Sequence, residues 1–157
     1  MVDIDGVLSL FGSPETPPWS LRVDGAFCTI DGIPHFLSHT AAEHLQGLRE
    51  DFDLVWASGW EEKAEEHLPH LLGLPEGLPF LRFARAPRGE KAHWKLAAID
   101  AYAGDRPLAW IDDALSEACH AWAAARRAPT LLVQTAPERG LTAREASLLG
   151  SWAQQLA

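Results

Sequence analysis

The chain has 157 residues, a formal net charge of −9 and two cysteines, Cys28 and Cys119, in no C-x-x-C pattern. That length is enough for one domain with its own core, while the acidity argues against a surface that wraps nucleic acid and the cysteines against a disulfide framework or a zinc site. No apolar run reaches the ~18 residues of a membrane helix and no basic stretch leads into an apolar one, so a soluble, cytoplasmic protein with no membrane partner is expected.

In chain order, residues 1–5 predict a strand stub ending at Gly6, and residues 12–18 (GSPETPP) a turn-rich loop. Residues 19–37 carry the strand-like pieces LRV, AFCTI and HFL, divided by Asp-Gly pairs at 24–25 and 31–32. Asp-Gly between apolar runs signals a hairpin, so a small β-flap over residues 9–38 is expected. Ser38 or Thr40 can cap a helix running to about Asp51. Residues 53–57 (DLVWA) read as a buried strand, and residues 60–72 as a helix with an acidic first turn whose end Pro69 can disturb. A strand over 79–84, a helix over 91–103 and a strand over 107–111 (PLAWI) follow. An Ala-rich helix over 114–127, a strand over 129–133 and a final helix over 142–156 complete the chain. Short apolar strands alternating with helices predict an α/β fold with a parallel sheet covered on both faces.

Four polar features mark this framework. Asp3 and Asp5 follow the first strand, Ser58-Gly59 follows DLVWA, Lys91 and Lys95 open a helix, and Asp112-Asp113 follows PLAWI. Three of the four stand at C-terminal strand ends, where open parallel sheets bind ligands. A carboxylate there can attack phosphorus, and a second can give and take a proton. Clustered carboxylates repel one another unless a cation sits among them, and Mg²⁺ suits such an oxygen-rich set. Ser58 can donate to a phosphate oxygen, and a lysine can neutralise charge on phosphate and nucleophile. Taken singly, D-x-D is an ordinary surface turn, Asp-Asp an N-cap region, Ser-Gly a turn, and each lysine a solvated helix face; the joint order carries the functional reading.

DIDGVL, ASG, lysine and IDD, in this order, resemble the four motifs of the haloacid dehalogenase-like (HAD) superfamily. The segments DLVWASGW, HWKL, DRPLAWIDD and APTLLV also resemble the HAD domain of Swiss Army Knife RNA repair proteins. The resemblance implies a single HAD-like domain over residues 1–157, a Rossmann-like three-layer sandwich. Its central parallel sheet would have five strands in the order 5-4-1-2-3, with the flap insertion (9–38) in place of a full cap domain. It implies an Mg²⁺-dependent phosphatase, a hydrolase of phosphomonoesters working through an aspartyl-phosphate. By position, Asp3 resembles the nucleophile and Asp5 the general acid/base. Mg²⁺ would be held by Asp3, the Asp5 carbonyl and Asp112, with Asp113 supporting. Phosphate would be held by Ser58, the Gly59 amide and Lys95, with Lys91 the alternative lysine. Only Met1 and Val2 precede Asp3, fewer than the family's usual apolar strand.

The expected substrate is a phosphorylated small molecule or a nucleic-acid end, and the open site leaves room for a partner domain or protein. Two other functions compete. In a receiver-like phospho-switch the acidic pair comes first, opposite to the order here. A non-catalytic HAD-like binding module sits poorly with intact Asp3, Asp5 and Asp112. The seven histidines include no H-E-x-x-H set, though His35 or His39 can line the flap. Trp60 beside Ser58-Gly59 can pack over a ligand, although an aromatic there is more often core.

Overall fold

The computed structural model describes residues 1–84 and 91–156. It is a mixed α/β structure with two separate sheets. Strands β1 (Ser9–Leu10), β2 (Gly25–Ile30) and β3 (Ile33–Ser38) form an antiparallel sheet in the order β1-β3-β2. Asp31 and Gly32 join β2 to β3 with φ of 52° and 80°. Two residues at positive φ make the primed hairpin turn for which Asp-Gly is suited. The LRV piece is not a strand. Pro18–Leu21 forms a 3-10 turn closed by Arg22 at φ 57°, with Pro18 preset for the turn. Asp24-Gly25 makes no second hairpin, since Gly25 opens β2.

Ser38 ends β3 and caps α1 (His39–Gly47), its side chain accepting from the Ala41 N–H. Helix α2 (Glu62–Leu72) continues through Pro69 and stops at Gly73 in the left-handed region. The expected helix at 91–103 is divided: Ala92–Lys95 is a 3-10 turn, and α3 spans Leu96–Ala103. Strand β4 (Leu108–Asp112) leads to α4 (Glu117–Ala125), and β5 (Thr130–Gln134) to α5 (Ala143–Gln154). Thr142 and Glu145 form a capping box on α5. None of the described helices is long and apolar enough to cross a membrane.

The expected five-stranded sheet is replaced by a two-stranded parallel sheet, β4-β5. Three other segments join laterally through single parallel bridges, Ile111 to Val2, Val2 to Trp56 and Trp56 to Phe80. The reasons are local. Asp3 and Asp5 stand directly at the turn around Gly6, which leaves Val2 as the bridging residue. Pro79 offers a carbonyl to the Trp56 N–H but has no N–H with which to extend the ladder.

Alternate residues feed two cores. Ala109 and Ile111 pack with α1, α2 and α5, while Leu108 and Trp110 pack with Ile99 and Ala103 of α3 and Cys119 of α4. The period-2 alternation of β4 thus puts helices against both of its faces. This arrangement holds the C-terminal strand ends, where the polar motifs lie, between two apolar layers.

Candidate active site

The bridges align three chain segments at one edge. Val2 makes both of its bonds to the segment around Trp56: its N–H donates to the Val55 carbonyl, and its carbonyl accepts from the Ala57 N–H. The Asp3 N–H donates to the Ile111 carbonyl at 3.0 Å. Asp3, Ser58 and Asp112 therefore each follow closely on a bridged residue.

Lys95 joins two of them. Its Nζ lies 2.7 Å from Asp3 Oδ2 and 2.6 Å from Asp112 Oδ2, and all three residues are buried. The 3-10 turn that delivers Lys95 is pinned by the Ala92 N–H, which donates to the Ala114 carbonyl. The second oxygens are also used: Asp3 Oδ1 accepts from the Ile4 N–H at 2.8 Å and Asp112 Oδ1 from the Ala114 N–H at 2.9 Å. Lys91, by contrast, is exposed.

Asp113 completes the cluster. Carboxylate oxygens of Asp3, Asp112 and Asp113 all lie within 4.8 Å of one another. Burial pushes the Asp3 carboxyl up to about 7 and the Asp113 carboxyl to about 6, with the Asp112 charge adding to both and Lys95 opposing. Burial would lower the Lys95 ammonium, but Asp3 and Asp112 outweigh it and leave it above its ordinary range. Three carboxylates against one ammonium is an electrostatic deficit that a hard divalent cation fits. Gly6 makes room: it has φ +72°, and a Cβ there would come within 2.5 Å of Asp113 Cγ. Thr135, just past β5, donates its hydroxyl to the Gly6 carbonyl, and Gln134 donates to the Asp113 carbonyl.

Asp5 stands apart from this cluster. It is exposed, and its Oδ2 accepts from Trp60 Nε1 at 3.0 Å. Although the residue as a whole is exposed, desolvation of its carboxyl by the surrounding protein raises it above the usual range, opposed by the Trp60 hydrogen bond and by His35. Ser58 is buried, with its Oγ 3.5 Å from the Trp60 N–H, and Gly59 is exposed beside Trp94. Trp94 also lies against Phe83 and under the Lys95 ammonium. His35 packs edge-on to Trp60 at 4.8 Å, and its Nδ1 is 2.9 Å from Ser9 Oγ. His39 instead lies 3.6 Å from Asp24.

The sequence offered no signal for Gln134 or Thr135, which reach the site through tertiary contacts, or for Ser9, which the turn at Gly6 brings back beside Asp5. Trp94 is adjacent to Lys95, and that adjacency was the available clue. The family described as HAD domain in Swiss Army Knife RNA repair proteins matches residues 1–146. No curated protein and no solved structure matches the chain.

Proposed function

The chain belongs to the family of HAD domains in Swiss Army Knife RNA repair proteins, and on that premise we propose that it is a phosphomonoester hydrolase with Asp3 as its nucleophile. The observation that carries this reading is the buried Lys95 ammonium bonded to both Asp3 and Asp112, with Asp113 at the same cluster. The scaffold fits a Rossmann-like arrangement of segments in the order 5-4-1-2-3, three of them reduced to single bridges. The antiparallel sheet over residues 9–38 serves as a flap within one domain.

The Asp3 side chain and the Asp5 carbonyl, with Asp112 and Asp113, would hold Mg²⁺. Bound there, Mg²⁺ neutralises charge on the carboxylates and on the transferring phosphoryl group. An Asp3 oxygen attacks phosphorus, and the bond from phosphorus to the leaving oxygen breaks. Asp5, whose carboxyl is biased toward holding a proton, passes that proton to the leaving oxygen. In the second half, Asp5 takes a proton from water as the water oxygen attacks phosphorus, and the acyl-phosphate bond to Asp3 breaks. Lys95 fixes the Asp3 carboxylate and offsets charge on the phosphoryl oxygens. Ser58 Oγ and the Gly59 amide bind those oxygens.

The family's RNA repair context supports a nucleic-acid end as substrate. An acidic chain suits recognition of one terminal phosphate better than of a run of backbone phosphates. A Mg²⁺-dependent screen of phosphomonoesters, including 3′- and 5′-phosphorylated RNA ends, tests the reading. Release of phosphate from an end, lost in Asp3→Asn, is expected; no release from any monoester contradicts it.

A further inference from the structure

We infer that Trp60 is a positioning residue for Asp5, held by a strained turn and backed by the antiparallel sheet; this rests on reading Asp5 as the acid/base. Asp5 is exposed, and an unrestrained carboxylate at the surface would sample several rotamers. Trp60 Nε1 limits that freedom by donating to Asp5 Oδ2 at 3.0 Å, beside a second hydrogen-bonding partner in Ser9. A tryptophan kept for packing alone has no need to aim its N–H at this oxygen.

The turn that presents Trp60 is built for the purpose. Glu61, a non-glycine residue, has φ 48° and ψ −125°, a conformation that persists only where neighbours over-determine it. They do so here: the Glu61 N–H donates to the Ser58 carbonyl at 3.1 Å, and Glu61 Oε1 accepts from the Phe83 N–H at 2.8 Å. The indole is then backed from β3. His35 packs edge-on against it, fixed by the contact of its Nδ1 with Ser9 Oγ. At the hairpin tip Asp31 pairs with Lys63 of α2, which keeps β3 against the turn. Asp5 and Ser9 from the turn at Gly6, His35 from β3 and Trp60 from the turn after Ser58 meet around one carboxylate.

Trp60→Phe keeps the ring and deletes the donor. On an alkyl phosphomonoester, the rapid-quench rate of phospho-enzyme formation is expected to fall about tenfold, with half-saturation within about twofold. On p-nitrophenyl phosphate, whose leaving group needs no proton, the loss in that first step is expected to stay below about threefold, while phospho-enzyme hydrolysis, in which Asp5 activates water, slows with either substrate. In an Asp5→Asn background, Trp60→Phe should cost nothing further in the first step on the alkyl substrate. Equal first-step losses on the two substrates, or a further tenfold loss in the double variant, overturn the inference. Should Trp60→Phe not fold, His35→Ala gives the second test: a first-step loss of about threefold confined to the alkyl substrate is expected, and equal first-step losses overturn it. A wild-type protein inactive on both substrates removes the phosphatase reading instead. The contact is then decided by ¹H–¹⁵N spectra, in which the Trp60 indole signal shifts in Asp5→Ala if the N–H is held and stays in place if it is not.

Discussion

Gly6 makes room for Asp113: a Cβ at Gly6 would fall 2.5 Å from Asp113 Cγ and 2.8 Å from its Oδ2. The first and last motifs therefore touch through a missing side chain. Gly6→Ala forces alanine into the left-handed region, costing about 1–2 kcal/mol, and displaces Asp113 as well. A total of about 2–3 kcal/mol, or roughly 4–12 °C in Tm for a chain of this size, is expected. Thermal unfolding with and without Mg²⁺ measures it. A Gly6→Ala protein with unchanged Tm and unchanged Mg²⁺ response would remove this contact from the site.

Lys95 and Lys91 should separate cleanly. Lys95→Ala strands two buried carboxylates, Asp3 and Asp112, so a loss of about 3–5 kcal/mol of stability without divalent cation is expected, together with loss of activity. Added Mg²⁺ should recover part of that stability. Lys91→Ala, at an exposed position, should stay within about 0.5 kcal/mol. Denaturant titration and a phosphatase assay on both variants check the pair, and loss of activity in Lys91→Ala alone would reverse the assignment.

Metal dependence should follow the carboxylate cluster. EDTA is expected to abolish turnover, Mg²⁺ to restore it, and Ca²⁺ to suppress it, because calcium's looser, higher coordination misplaces the nucleophile. Asp112→Asn removes one charge from the cluster. It should weaken Mg²⁺ binding by about tenfold, or 1.4 kcal/mol, with excess Mg²⁺ partly restoring the rate. Turnover that ignores added Mg²⁺ in Asp112→Asn would exclude Asp112 as a ligand.

Much of this arrangement was legible wherever local chemistry decides structure. Asp31-Gly32 requires positive φ at both turn positions, and Ser38 supplies a cap acceptor. Asp3, Lys95 and Asp112 were recognisable as a set, and the structure brings those three side chains together. The regular sheet was overestimated, because apolar runs at 53–57 and 79–84 say how deeply a segment is buried. They do not say how many ladder bonds it makes, and Pro79 and the turn after Val2 limit those bonds. LRV read as strand because its pattern is apolar, while Pro18 and the left-handed Arg22 make a 3-10 turn. The ring around Asp5 was hidden for another reason. Ser9, His35 and Trp60 are brought together by the packing of β3 against the turn at 58–61, which no spacing in the chain encodes.

The central claim is that Asp3 is the phosphorylated nucleophile and Asp5 the proton carrier. Rapid-quench detection of phospho-enzyme with an aryl phosphate tests both at once. Asp5→Asn should accumulate acid-stable phospho-enzyme, because the first step with a good leaving group needs no proton while the attacking water goes unactivated. Its steady-state rate should fall by about 10²–10⁴-fold. Asp3→Asn should form none, since the amide is a poor nucleophile. Phospho-enzyme in Asp3→Asn, or full steady-state activity in Asp5→Asn, would contradict the account.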